Sequence, residues 1–349
     1  MRDLLPLLTA AVFSAAIAFP SSGAEAEARL TDTKLALTGV NMAGAEFGTT
    51  MPGAPGTDYF YPKREWIDHF ADKGVNVFRL PFRWERLQPK LGAELAKGEV
   101  ERIDEVVNYV TSAGLAVILD PHNYARYQGK LLGTPQLPTW FLADLWARIA
   151  SRYAMNDRVI FGLMNEPSRI ATEIWLEAAN AAIAAIRQTG AKNLILVPGS
   201  GWSGAHSWSS HSYGTPNAKV MLGIEDSQRN YVFEVHQYLD SDSSGTSAEC
   251  LDATVGSRRL AGFTHWAREH QKRAFLGEFG AGADPVCMAA LEDMLTFMEQ
   301  NADVWLGWTY WAAGPWNPTY FTSLQPQGGS DRPQMAVLTK HFTDVRDTQ

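Results

Sequence analysis

Two glutamates stand where apolar runs of this 349-residue chain break off. Residues 159–168 read VIFGLMNEPS, an unbroken apolar stretch that meets Asn165, Glu166 and Pro167. Residues 274–280 read AFLGEFG and put Glu278 at a comparable point. If both runs are strands of one closed sheet, the two carboxyl groups can face each other across its mouth. That arrangement suits cleavage of a glycosidic bond: one carboxyl protonates the leaving oxygen while the other attacks or stabilises the oxocarbenium-like centre. Other run ends carry residues fit for the same work. Arg79 lies near the end of VNVFRLP, and DPHNY brings Asp120, His122, Asn123 and Tyr124. His236 and Tyr238 close YVFEVHQY, while Trp308, Tyr310 and Trp311 close VWLGWTYW. The plainer alternatives are two surface glutamates in loops, an Arg79 that is only a core ion-pair partner, and a buried polar network around Glu234, His236 and Tyr238.

Eight short runs have the length and composition of strands: 35–41, 75–81, 115–121, 159–165, 193–199, 231–238, 274–280 and 304–311. Segments of helical period separate them, such as 138–153, where Trp140, Leu142, Leu145, Trp146 and Ile149 recur three and four apart; others are 170–189, 255–271, 285–301 and 332–342. Continuous apolar strands alternating with helices imply a parallel sheet covered on both faces. Eight such units predict an α/β fold, a single-domain (β/α)8 TIM barrel over residues 29–349. A Rossmann sheet would want G-x-G-x-x-G after the first strand, and GVNMAGAEFG lacks it. In a barrel the C-terminal strand ends build the active-site face. Strands four and seven lie across that mouth from each other. Pro167 is expected to keep Glu166 extended and to stop the ladder.

The net charge of -8 argues against a nucleic-acid partner, whose phosphates it would repel, and leaves neutral or weakly charged partners open. Twelve Trp suit sugar rings as well as cores, since indole has an apolar face and a polar edge. At the N-terminus a short apolar stretch, residues 4–19, precedes small residues with Ala-x-Ala spacing at Ala24, Ala26 and Ala28. It reads as a secretory signal peptide of about 28 residues, too short and Pro-interrupted to span a membrane comfortably. No Cys follows it, which argues against a lipid anchor. Export would let the two cysteines, Cys250 and Cys287, form a disulfide; two free buried thiols are the alternative. Two Cys alone cannot build a structural zinc site, and the eight His show no H-x-H or H-x-x-x-H pairing, so no metal and no cofactor is expected.

The stretches VNVFRLPFRWERLQP, DPHNYARY, VIFGLMNEP, EVHQYLDSDSSGT, FLGEFGAG and GWTYWAAGPW, in that order over roughly residues 35–316, resemble glycoside hydrolase family 5. DPHNYARY and EVHQYLDSDSSGT resemble its fifth subfamily, dominated by endo-β-1,4-glucanases. The resemblance implies a retaining mechanism with Glu166 as acid/base and Glu278 as nucleophile. It implies that Asn165 bonds the 2-hydroxyl of the reacting sugar, that His122 contacts substrate, and that His236 partners Glu166. Trp311 resembles the platform beneath that sugar, with a cis peptide to Ala312. Arg79 and the Tyr238 hydroxyl, expected beside Glu278, favour its ionised form.

Trp84, Trp202 and Trp316 are open between outer sugar platforms and plain packing. Many relatives carry a second aromatic after Trp316, where this chain has Asn317, which bears on chain-length preference. No carbohydrate-binding module or Ser/Pro-rich linker is present, so soluble or amorphous β-glucan is expected over crystalline cellulose. The expected protein is a secreted monomer, extracellular or periplasmic, with a polysaccharide partner and no membrane after signal removal. Three rivals are distinguishable: the same mechanism on mannan, xyloglucan or mixed-linkage glucan; a silent carbohydrate-binding barrel, which would lack one glutamate; and a metal-dependent hydrolase, which would need clustered His or a modified Lys on the fourth strand.

Overall fold

The computed structural model describes residues 34–343; the signal-peptide reading falls outside them. Eight parallel strands close into a barrel: β1 (Leu37–Met42), β2 (Val77–Phe82), β3 (Ala116–Pro121), β4 (Val159–Gly162), β5 (Ile195–Pro198), β6 (Tyr231–His236), β7 (Ala274–Glu278) and β8 (Trp305–Ala313). Each pairs with its sequence neighbours, and β1 pairs with β8 to close the ring. The predicted (β/α)8 fold and all eight strands are present. β4 stops at Gly162, three residues before Asn165.

Besides a one-turn helix at Trp84–Leu87, just after β2, the helices are α1 (Arg64–Ala71), α2 (Lys97–Ser112), α3 (Trp140–Tyr153), α4 (Thr172–Gln188), α5 (Asn217–Val220), α6 (Val255–Glu269), α7 (Pro285–Gln300) and α8 (Met335–His341). Periodicity located α3, α4, α6, α7 and α8. It passed over α1, the four-residue α5, and α2, although α2 carries the buried stripe Ile103, Val106, Val107 and Val110. In α3 the predicted stripe Leu142, Leu145, Trp146 and Ile149 is buried, and Trp140 at its start is exposed. Helix tryptophans also satisfy strand-end carbonyls: Trp146 Nε1 donates to Leu163 O at 2.9 Å and Trp175 Nε1 to Pro198 O at 2.6 Å. Each buried indole thus anchors a loop that leaves the barrel mouth. Among the described residues no helix is long and apolar enough to cross a membrane.

The barrel interior changes character along its axis. Val77, Ile118, Ile160, Leu196, Val232 and Phe275 form a separate apolar plug at the lower end. Inward positions recur every second residue. Two steps beyond this plug come Arg79, Asp120, Gly162, Glu234 and Gly277. The upper layer is therefore ionic, with glycines among the charges, and it supports the site.

Candidate active site

Arg79 is the hub and is wholly buried. Its Nη1 donates to Asn41 Oδ1 at 2.9 Å and Glu278 Oε1 at 3.0 Å; Nη2 donates to Asn165 Oδ1 at 2.8 Å and lies 3.1 Å from Asp120 Oδ2. Its Nε lies 3.0 Å from Glu234 Oε1, as an ion pair that is not aligned as a hydrogen bond. Five partners from five strand ends thus meet one guanidinium, whose planar fork suits several acceptors at once.

Glu278 ends β7. The β6–β7 register shifts there, from Val235↔Leu276 to His236↔Glu278, so Gly277 is the extra residue. The shift re-aims the glutamate toward its partners at the mouth. The Tyr238 hydroxyl donates to Glu278 Oε2 at 3.0 Å. Both expected neighbours, Arg79 and Tyr238, are in contact. Burial nevertheless pushes the Glu278 carboxyl up, and the charge of Glu166 adds to the rise, against the pull of His236 and Arg79. The expectation that its neighbours set the direction left out the cost of burying the charge.

Glu166 lies four residues past β4. Asn165 N–H donates to Pro121 O at 2.9 Å and Asn165 O accepts from Tyr124 N–H at 3.0 Å, which ties the chain to the end of β3. Glu166 then turns into the left-handed region, with φ 42°. The expectation of an extended Glu166 is corrected: Pro167 removes a ladder donor, and the turn is held by the two bonds at Asn165. Such a conformation costs of order 1 kcal/mol for a side-chain-bearing residue, supplied by the surrounding structure. His236 Nδ1 sits 2.8 Å from Glu166 Oε1 and 3.6 Å from Glu278 Oε2. Burial pulls His236 down, but Glu278, Glu166 and Glu234 outweigh it and raise it to about 10, so the ring is an imidazolium that donates from Nδ1.

His122 behaves oppositely. Burial pushes it down to about 3, and the neutral ring fits its hydrogen bonds. Its Nδ1–H donates to Asp120 Oδ2 at 2.8 Å, and Nε2 accepts from Asn165 Nδ2 at 3.1 Å, a tautomer assigned from this network. Asn165 is thereby fixed at both ends. Trp311 stacks on His122 with centroids 5.3 Å apart, and its peptide to Ala312 is cis.

A hollow of about 660 Å³ opens beside Glu166, lined by Tyr124, Trp202, His206, His236, Tyr238 and Ser243. A second, of about 260 Å³, meets Trp311 together with Phe47, Trp316, Asn317 and Tyr320. Trp202 is 37% exposed at the rim, whereas Trp84 is fully buried and bonded to Gln88, and Trp316 lies flat on Phe47 at 5.1 Å. A larger hollow, about 1060 Å³, lies at the opposite end of the barrel near the start of β6 and holds none of these residues. Cys250 and Cys287 form a disulfide.

Glu166, His236 and Glu278 each bring one potential ligand atom within 4.8 Å of the others. His236 Nδ1 lies 2.8 Å from Glu166 and 3.6 Å from Glu278, between the two carboxyls, an arrangement that suits proton handling. Sequence reasoning passed over Asn41, whose Nδ2 binds the carbonyls of Gly277, Thr309 and Tyr310, and Glu46, buried nearby. Asn41 was detectable as one more polar strand end; Glu46 carried no such signal.

A (β/α)8 barrel with two carboxyls at its mouth, flanked by Arg, His, Tyr and Trp, defines a class of barrel glycosidase. The chain belongs to the cellulase family, glycosyl hydrolase family 5, whose model matches residues 35–314. It is 38% identical over 326 residues to a probable endo-β-1,4-glucanase B of Aspergillus oryzae, covering 93% of this chain and 94% of the relative. Among solved structures it is similar to an endo-β-1,4-glucanase of Xanthomonas axonopodis pv. citri, solved as a triple mutant: 50% identity, 88% of this chain, 99% of that one, TM-score 0.87. A structure in complex with cellopentaose matches at the same identity and TM-score. An endoglucanase of Pseudomonas stutzeri in complex with cellobiose matches at 34% identity, 88% and 93% coverage and TM-score 0.82.

Proposed function

We propose that this protein is a secreted endo-β-1,4-glucanase that cleaves internal bonds of cellulose or soluble β-glucan by double displacement. The observation that carries the mechanism is the approach of Glu166, His236 and Glu278 within 4.8 Å. Retaining enzymes hold their carboxyls about 5–5.5 Å apart, whereas inverting ones leave roughly 6.5–9.5 Å for a water. The glucan reading is supported by relatives named as endo-β-1,4-glucanases and by one solved with cellopentaose. Export is supported by the Ala-x-Ala leader and the Cys250–Cys287 bridge.

In this reading a Glu278 oxygen, held by Arg79 and Tyr238, attacks the anomeric carbon as Glu166 gives its proton to the departing glycosidic oxygen. Glu166 then takes a proton from water, whose oxygen attacks the same carbon and frees Glu278. His236 orients Glu166 through its Nδ1–H. Asn165, locked by Arg79 and His122, points its remaining amide hydrogen at the 2-hydroxyl, and Trp311 supports the ring. The aromatic hollow beside Trp311 and the groove beside Glu166 accommodate the two sides of the cut.

Viscosity loss and product release are measured on carboxymethylcellulose, β-mannan and mixed-linkage glucan for wild type and Glu278→Ala. Rapid viscosity loss on carboxymethylcellulose is expected, abolished in Glu278→Ala. Azide should restore turnover of an activated glucoside as a glycosyl azide of inverted configuration. Cleavage of mannan without cellulose overturns the substrate; an active Glu278→Ala overturns the nucleophile.

A further inference from the structure

Glu234 takes no part in that chemistry, yet it lies beneath the partners of both glutamates. Its side chain is 1% exposed. Oε1 stands 3.0 Å from Arg79 Nε and 3.5 Å from His236 Nε2. None of these three atoms has an aligned hydrogen-bond partner elsewhere, so the attraction among them is ionic and unshared. Arg79 in turn reaches Glu278 at 3.0 Å, and His236 reaches Glu166 at 2.8 Å. One carboxylate lies between two cations, and each cation holds one glutamate. The barrel makes room for it: a Cβ on Gly277 would fall 2.2 Å from Glu234 Oε1.

We propose that Glu234 is a positioning residue, which fixes Arg79 and His236 from below and so aims Glu278 and Glu166, and that position 277 is glycine in order to admit it. This rests on the reading of Glu278 as nucleophile and Glu166 as acid/base. The charges agree. Burial pushes the Glu234 carboxyl up, but Arg79 and His236 outweigh it and hold it below the usual carboxylate range. It is therefore an anion at neutral pH and one of the groups that keep His236 charged. The other charged or titratable groups around that imidazolium are Glu166 beyond β4, Glu278 on β7, Asp120 on β3 and His122 just after it, together with Arg79 on β2 and Tyr238 after β6, which share the Glu234 and Glu278 oxygens with it. Withdrawing Glu234's charge lowers the pH at which His236 loses its proton.

The test is kcat and KM against pH for wild type, Glu234→Gln, Gly277→Ala and the double variant Glu234→Asp/Gly277→Ala, with Glu278→Ala as reference. Glu234→Gln should lose about 10–100-fold in kcat, the scale on which small misplacements act, with KM nearly unchanged and the alkaline limb moved to lower pH. Gly277→Ala keeps the carboxylate but displaces it, so it should show the same loss confined to kcat. The shorter Asp relieves that collision, and the double variant should recover part of what Gly277→Ala loses. If Glu234→Gln fails to fold, the two Gly277→Ala variants decide alone. The proposal is overturned if kcat in the folded variants stays within about threefold of wild type, if kcat and KM suffer alike with the alkaline limb unmoved, or if the double variant is no better than Gly277→Ala. Retained turnover in Glu278→Ala is a separate result: it removes the nucleophile reading, and the Glu234 proposal falls with it. An inactive Glu278→Ala beside an unaffected Glu234→Gln removes only the inference.

Discussion

The residues of this site differ less in type than in what surrounds them. Two histidines at the mouth carry different charge states: His236, among three carboxyl groups, is held protonated, whereas His122, buried between Asp120 and the Asn165 amide, is neutral. Glu46 shows the same logic without a catalytic part. One oxygen accepts from Gly44 N–H at 2.7 Å, the other has no partner, and burial pushes the carboxyl up from 4.5 to about 8. A carboxyl whose folded value is raised keeps its proton in the fold after the unfolded chain has lost it. Stability from this group therefore falls as pH rises from about 4.5 to 8 and is level outside that window. Glu46→Gln, which keeps the shape and cannot ionise, should flatten the decline of Tm across that window and exceed wild type at its upper end. Calorimetry at pH values below and above the window checks this; parallel Tm curves would contradict the assignment.

At the scale of elements, strand ends place chemistry, and at α7, alone among the described helices, a side chain caps the helix start. α7 begins at Pro285, with Asp284 as its cap accepting from Val286 N–H at 2.9 Å and Cys287 N–H at 3.1 Å. The cap satisfies two first-turn amides that have no acceptor within the helix and places a negative charge at the positive end of the helix. Asp284→Ala should cost about 1 kcal/mol, read as a lower denaturant midpoint at unchanged slope, with kcat near wild type. The eight strands and five of the helices were legible because apolar runs and three-four spacing are local signals. α1 and α2 carry the same kind of local signal, Ile67 with Phe70 and Ile103 with Val106, Val107 and Val110, and were passed over all the same; the four-residue α5 is too short to show a period and owes its form to the surface it packs on.

At the scale of the whole molecule, a closed ring of strands carries loops on its catalytic side, and one of them is held by a covalent cross-link. The Cys250–Cys287 bridge spans a sequence separation of 37, joining the loop after β6 to the start of α7. Closing a loop of that length stabilises by about 4 kcal/mol in the chain-entropy account. Cys250→Ser/Cys287→Ser should lower Tm by roughly 5–10 °C, and a reductant should lower wild type toward it while leaving the variant unchanged. A reductant-insensitive wild type would show that the bridge contributes little.

By itself the sequence determined the barrel and the cast of polar residues at its mouth. Run length, alternation with helices, and the breaks at Asn165-Glu166-Pro167 and Gly277-Glu278 are properties of neighbouring residues, readable without a fold. Tertiary structure alone decided how those residues meet. The register shift at Gly277 turns Glu278 into the mouth, the bonds at Asn165 bend Glu166 into a left-handed turn, and Arg79 gathers partners from five strand ends. Period-two alternation carries no trace of a register shift. Burial, which outweighs the neighbours of Glu278, is a sum over chain segments far apart in sequence.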